Sequence, residues 1–185
     1  MKTNVTILLA SGRSVTGTFD HGELRLSDAL NGSLASVMRL TDATLGRFGN
    51  PVANEPVAVA LVPKSHAALV IPKEAESRPN EKRMYSYVPT KTSELLVLLA
   101  GLRIRGSAHG AANLDEVALQ RQLAESVDRF IVLTDASLAF DVEGTTERSV
   151  GVAMLNARHI QFVAKAPVAG AAEAIAQRQV PALTP

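Results

Sequence analysis

Leu40-Thr41-Asp42-Ala43-Thr44-Leu45 returns later in the chain as Leu133-Thr134-Asp135-Ala136-Ser137-Leu138, with Ser for Thr the single change. Internal similarity of this kind decides the architecture, and here it continues in both directions. At the same offset of 93 positions, Val57, Val59, Ala60, His66 and Val70 fall on Val150, Val152, Ala153, His159 and Val163. Upstream, Leu26 and Leu30 fall on Leu119 and Leu123. Closer to the start the offset becomes 89, pairing Gly12 with Gly101, Val15 with Ile104 and Gly17 with Gly106. One insertion of four residues before Leu119 accounts for the change. A chance hexapeptide would not keep the register of later alternating apolar residues, so the chain reads as two diverged copies of one segment.

Within one copy the pattern is that of short strands. Val5 to Ala10 and Ser14 to Phe19 flank Ser11-Gly12-Arg13, a hairpin signal. Gly17 interrupts the second strand, as Gly106 does in copy two, which predicts a bulge or sharp bend. In copy two Asn113 is placed to cap a helix whose apolar stripe is Leu119, Leu123, Val127 and Phe130. Copy one keeps Leu26 and Leu30, and Asn31-Gly32-Ser33 ends the segment early. A third strand is expected over Val37 to Leu45 and Phe130 to Leu138, then a loop of about a dozen residues holding Gly46, Gly49 and Pro51 in copy one. The last hairpin joins Val57–Val62 to Ala67–Ile71 through Pro63-Lys64-Ser65-His66, echoed by Val150–Leu155 and Ile160–Val163.

The expected fold is therefore mainly β: two tandem five-stranded small barrels, each with a short helix or turn before strand three. Repeat one spans 1–72, a charged linker 73–92, repeat two 93–165 and an Ala/Pro-rich tail 166–185. The linker has charge without apolar periodicity. Alternation of Met84, Tyr85, Ser86 and Tyr87 allows an extra strand before copy two, and Ala171 to Gln177 allows a short helix in the tail.

Five short strands, glycines in the first hairpin and second strand, polar residues before strand three and a compact final hairpin together resemble the Sm-like group of SH3-type small barrels. The run Arg25-Leu26-Ser27-Asp28-Ala29-Leu30-Asn31, with Leu40-Thr41-Asp42 and Leu155-Asn156-Ala157-Arg158-His159-Ile160, resembles uncharacterised bacterial proteins of Sm-like appearance. That second resemblance implies no activity. The Sm-like resemblance implies RNA contact through an Asp and Asn before strand three and an Arg-Gly in the last hairpin. Asp28 and Asn31 occupy the first region, whereas copy two has Arg121 and Ala124 there, and neither last hairpin contains Arg-Gly.

Composition excludes several classes. With 46% apolar and 20% charged residues over 185 positions the chain is globular. A net charge of +1 gives no overall field for phosphate backbones or anionic membranes. The absence of cysteine removes disulfides and thiolate metal sites. Neither a signal peptide nor a run of roughly 20 apolar residues is visible, so a cytoplasmic protein without a membrane partner is expected. No nucleophile elbow or phosphate-cradling glycine loop occurs, and five Phe with two Tyr and no Trp make a poor base-stacking platform. An enzyme is not expected, nor any cofactor or metal.

The residues that stand out for ligand or RNA contact are His66, His159, Arg158, Lys64, Asp28 and Asn31. Each copy places a histidine at the start of its final strand, where the ordinary role is to cover apolar surface and bond a backbone carbonyl. Asp42 and Asp135 read as turn-capping side chains rather than as a catalytic pair. His21 and His109 lack a partner at metal-ligand spacing. The leading expectation is a non-catalytic interaction or assembly module that binds itself or another protein. An RNA-binding module, and a small-ligand sensor in the groove between copies, are the alternatives.

Overall fold

A computed structural model of the chain describes residues 1–32, 35–73, 91–110, 116–125, 129–140 and 146–165. The segment 74–90 with its tyrosines, Asn113, Val127 and the tail 166–185 lie outside the described residues.

The described chain is mainly β. In order along the sequence it forms β1 (Lys2–Leu9), β2 (Arg13–Asp20), α1 (Leu26–Asn31), β3 (Val37–Arg47), β4 (Asn50–Pro63) and β5 (Ala67–Pro72). It continues with β6 (Lys91–Leu99), β7 (Leu102–Gly110), α2 (Glu116–Glu125), β8 (Phe130–Phe140), β9 (Arg148–Asn156) and β10 (Ile160–Lys165). Single 3₁₀ turns, Lys64–His66 and Ala157–His159, link β4 to β5 and β9 to β10.

All ten strands belong to one antiparallel sheet in the order β10-β6-β7-β8-β9-β5-β1-β2-β3-β4. Its first five and last five members follow the same relative order, final strand first and fourth strand last. Among the described residues no ladder closes the sheet, so it is open, with β10 and β4 each left with a free edge. Its centre is the join of β5 to β9, where Leu69 faces Leu155 and Val70 faces Met154.

Local sequence explains the bends. Between Thr16↔Thr44 and Thr18↔Thr41, Gly17 alone opposes both Asp42 and Ala43, a β-bulge. Asp42 adopts the left-handed conformation there with φ 50°, which Asp tolerates better than most residues. Gly17 suits the bulge, since a Cβ on it would stand 3.0 Å from the Thr41 carbonyl oxygen and press its neighbours aside. The same bulge recurs in the second half, with Gly106 opposite Asp135 and Ala136, and Asp135 at φ 49°. The repeated Leu-Thr-Asp-Ala string is thus a bulge signature inside a strand, not the turn cap its composition suggests.

One sequence expectation fails in the first half. The loop of about a dozen residues before strand four is replaced by a tight turn at Phe48-Gly49, because β4 starts at Asn50 and runs beside β3 to Pro63. Gly46 then lies within β3 and Pro51 within β4. The positive φ of 80° at Gly49 makes the turn, and its bare backbone lets the Phe140 ring approach.

Two apolar clusters fill the interior, and each crosses the midline. The cluster of the second half takes in Leu8, Ala68, Leu69 and Ile71 from the first. That of the first half takes in Phe130 and Met154 from the second. Burial of these side chains couples the halves through the hydrophobic effect rather than through backbone pairing alone.

Candidate functional site

Some of the polar side chains gather at or beside the β5–β9 seam. Asn156 ends β9 and is fully buried. Its Nδ2 donates to the carbonyl oxygens of Lys64 and Ala67, each at 3.0 Å, and its Oδ1 accepts from the Arg158 N–H at 3.1 Å. One amide therefore ties its own 3₁₀ turn to the opposite half, with its two donor hydrogens and its oxygen all used. A buried amide without such partners would be costly.

Asn31, at the end of α1, makes a second tie of the same kind. Its Nδ2 donates to the Phe130 carbonyl at 3.1 Å and its Oδ1 accepts from the Phe130 N–H at 2.6 Å. It thus behaves as an extra strand residue against the start of β8. A third tie is His159, whose Nε2 lies 2.7 Å from the Ser65 carbonyl oxygen. Since the carbonyl can only accept, Nε2 carries the proton.

Lys64 serves the same region from beneath. Its Nζ donates to the carbonyls of Ala29 at 2.8 Å and Gly32 at 3.0 Å, closing the C-terminal end of α1 where a cation is favoured. Burial lowers the pKa of this amine from its ordinary value.

Of the six residues singled out from the sequence, Asn31, Lys64 and His159 thus meet at or beside the seam. The other three lie on the surface. Asp28 is exposed and reached by the Ser27 hydroxyl at 3.4 Å, and Arg158 and His66 are exposed on their respective 3₁₀ turns. Asn156 was not singled out, although the sequence carries a signal for it: the offset of 93 places Pro63 at the same point of copy one.

The join between halves also holds a cleft of about 520 Å³, walled by Phe48, Ile71, Leu102, Leu138, Phe140 and Val150. Phe48 and Phe140 meet edge to face there, with ring centres 6.3 Å apart. Neither His66 nor His159 lines it. Among the described residues no group of three His, Asp or Glu is placed to hold a metal ion, and no helix is long and apolar enough to cross a membrane.

Comparison with family models, with curated proteins and with solved structures finds no match for this chain.

Proposed function

We propose that the chain is a non-catalytic, cytoplasmic assembly module made of two copies of one Sm-like small-barrel unit, and that it associates with itself through the free edges of its sheet. The observation that carries this reading is the pair of large apolar side chains exposed on the two end strands, set beside their covered counterparts at the seam; other exposed apolar side chains, such as Val117 on α2 and Phe140 on β8, lie away from these edges. Leu61 on β4 is 67% exposed and Phe162 on β10 is 50% exposed, both on the end strands. The residues 93 positions from them, Met154 and Leu69, are 6% and 0% exposed because the inner seam covers them. An open strand edge carrying large apolar residues is a template for another strand. β4 of one chain beside β10 of the next reproduces the pairing that β9 and β5 make within the chain. Because the two edges differ, such contacts join head to tail, giving a ring if the rotation closes and a filament if it does not.

Light scattering across a concentration series tests the reading. Mass that grows with concentration supports it, and a monomer at every concentration removes it. Copurified nucleic acid whose binding weakens steeply with salt would replace it with the RNA reading, which requires Asn31 and Lys64 to leave their present bonds.

A further inference from the structure

We infer that the contact between chains is an unlocked version of the contact within the chain, built to open and close while the two halves stay permanently joined. The inference rests on the assembly reading and concerns how the second copy is held.

The inner seam is short: among the described residues its ladder consists of Leu69↔Leu155 and Val70↔Met154. Its permanence therefore depends on the groups around the ladder. Three are polar ties, from Asn156, Asn31 and His159. The offset of 93 assigns each its counterpart at the free edges: Pro63 for Asn156, Ala124 for Asn31 and His66 for His159.

Two of the three ties are absent at the edges. Pro63 has neither a side-chain donor nor an N–H, so the carbonyls of Ala157 and Ile160 in the next chain, counterparts of Lys64 and Ala67, receive nothing from it. Ala124 cannot bridge the backbone of Val37 as Asn31 bridges that of Phe130. His66 is kept and exposed; its carbonyl accepts from the Ala10 N–H at 3.0 Å, and its ring has no hydrogen-bond partner among the described residues. By the same equivalence its Nε2 donates to the Arg158 carbonyl of the next chain, as His159 donates to Ser65.

The apolar components survive with other side chains. Phe162 replaces Leu69, Leu61 replaces Met154 and Val37 replaces Phe130. The outer contact thus retains apolar burial and one histidine bond and lacks both amide clamps. Its partner is a second copy of this chain, held in a fixed register with Phe162 opposite Val62 and Val163 opposite Leu61.

Pro63→Asn tests this directly. The backbone at Pro63, φ −58° and ψ 132°, is close to that at Asn156, φ −72° and ψ 116°, so an asparagine enters the same conformation. The two bonds it restores predict a dissociation constant lower by about tenfold or more. Subunit exchange between fluorescently labelled chains slows to match. Ala124→Asn, on a different element, is expected to act in the same direction and guards against a folding defect at residue 63, which circular dichroism would reveal. A parent protein that associates, but whose dissociation constant neither substitution lowers, overturns this inference and leaves the assembly reading standing. A parent that remains monomeric at all concentrations overturns both.

Discussion

Positions 156 and 63 sit at the same point of the two halves and have opposite surroundings. Asn156 is fully buried, with two hydrogen bonds that hold the second half to the first and a third to its own turn. Pro63 is exposed at the end of a strand whose outer side faces solvent. The backbone is nearly the same at both, so the difference lies in what a neighbouring strand asks of the side chain. Similar folding instructions in the two halves leave room for different surface instructions, and these appear at the seam first.

The contrast is broken most severely at residue 156. Asn156→Ala removes the side-chain donor from the buried carbonyls of Ala67 and of Lys64, which keeps only the Ala67 N–H, and opens a small void, with an expected loss of about 2–4 kcal/mol. Pro63→Ala should change stability by less than about 1 kcal/mol, chiefly through the unfolded chain. Urea unfolding of both variants measures the gap. Equal losses would mean that position 156 has no special role in the seam.

The two bulges sharpen the comparison from the other side, since there the halves should behave alike. An added Cβ at Gly17 meets the Thr41 oxygen and Ala43, and at Gly106 it meets the Leu133 Cβ and Thr134 oxygen, each with nearest contacts of 3.0 Å. Gly17→Ala and Gly106→Ala are each expected to cost about 1–3 kcal/mol by overpacking. Thermal unfolding should place the two variants together, and a cost at one site alone would show that the bulges are not equivalent. A gentler change is Asp42→Gly or Asp135→Gly, which relaxes the positive φ at each bulge. It should leave stability within about 1 kcal/mol of the parent, whereas Asp42→Val, β-branched at φ 50°, should lose about 1–3 kcal/mol.

Much of this was legible in the sequence where the signal is local. Strand positions, both final hairpins, the short helix ended by Asn31-Gly32 and the glycine-marked bulges follow from alternation and glycine placement. The Phe48-Gly49 turn is not legible in the sequence because Gly46, Gly49 and Pro51 together suggest a longer loop. Pro51 is nevertheless tolerated on β4, which has a neighbour on one side only. The continuous ten-stranded sheet was not legible either. It depends on the two residue pairs of the inner seam and on amides from Asn31 and Asn156, whose partners lie 99, 92 and 89 positions away. Of the candidate residues, His159 shows the backbone-bonding role that its turn position suggested, but the acceptor belongs to the other half.

The smallest effect on stability bears most directly on function. Leu61 is two-thirds exposed, so Leu61→Lys should alter unfolding by less than about 0.5 kcal/mol. In the proposed contact that side chain faces Val163 of the next chain and enters apolar surroundings as Met154 does in the inner seam. A lysine there must bury or bend away its charge, and charged residues on an edge strand are a recognised obstacle to strand pairing. The expected outcome is an unchanged melting curve for the monomer together with loss of concentration-dependent mass. Arg39→Ala, an exposed neighbour on β3 whose cross-strand partner is Leu61, should leave association unaltered because its strand is already paired on both sides. If Leu61→Lys associates like the parent, the free edge of β4 is not the surface that meets another chain, and the contrast between seam and edge has no functional meaning.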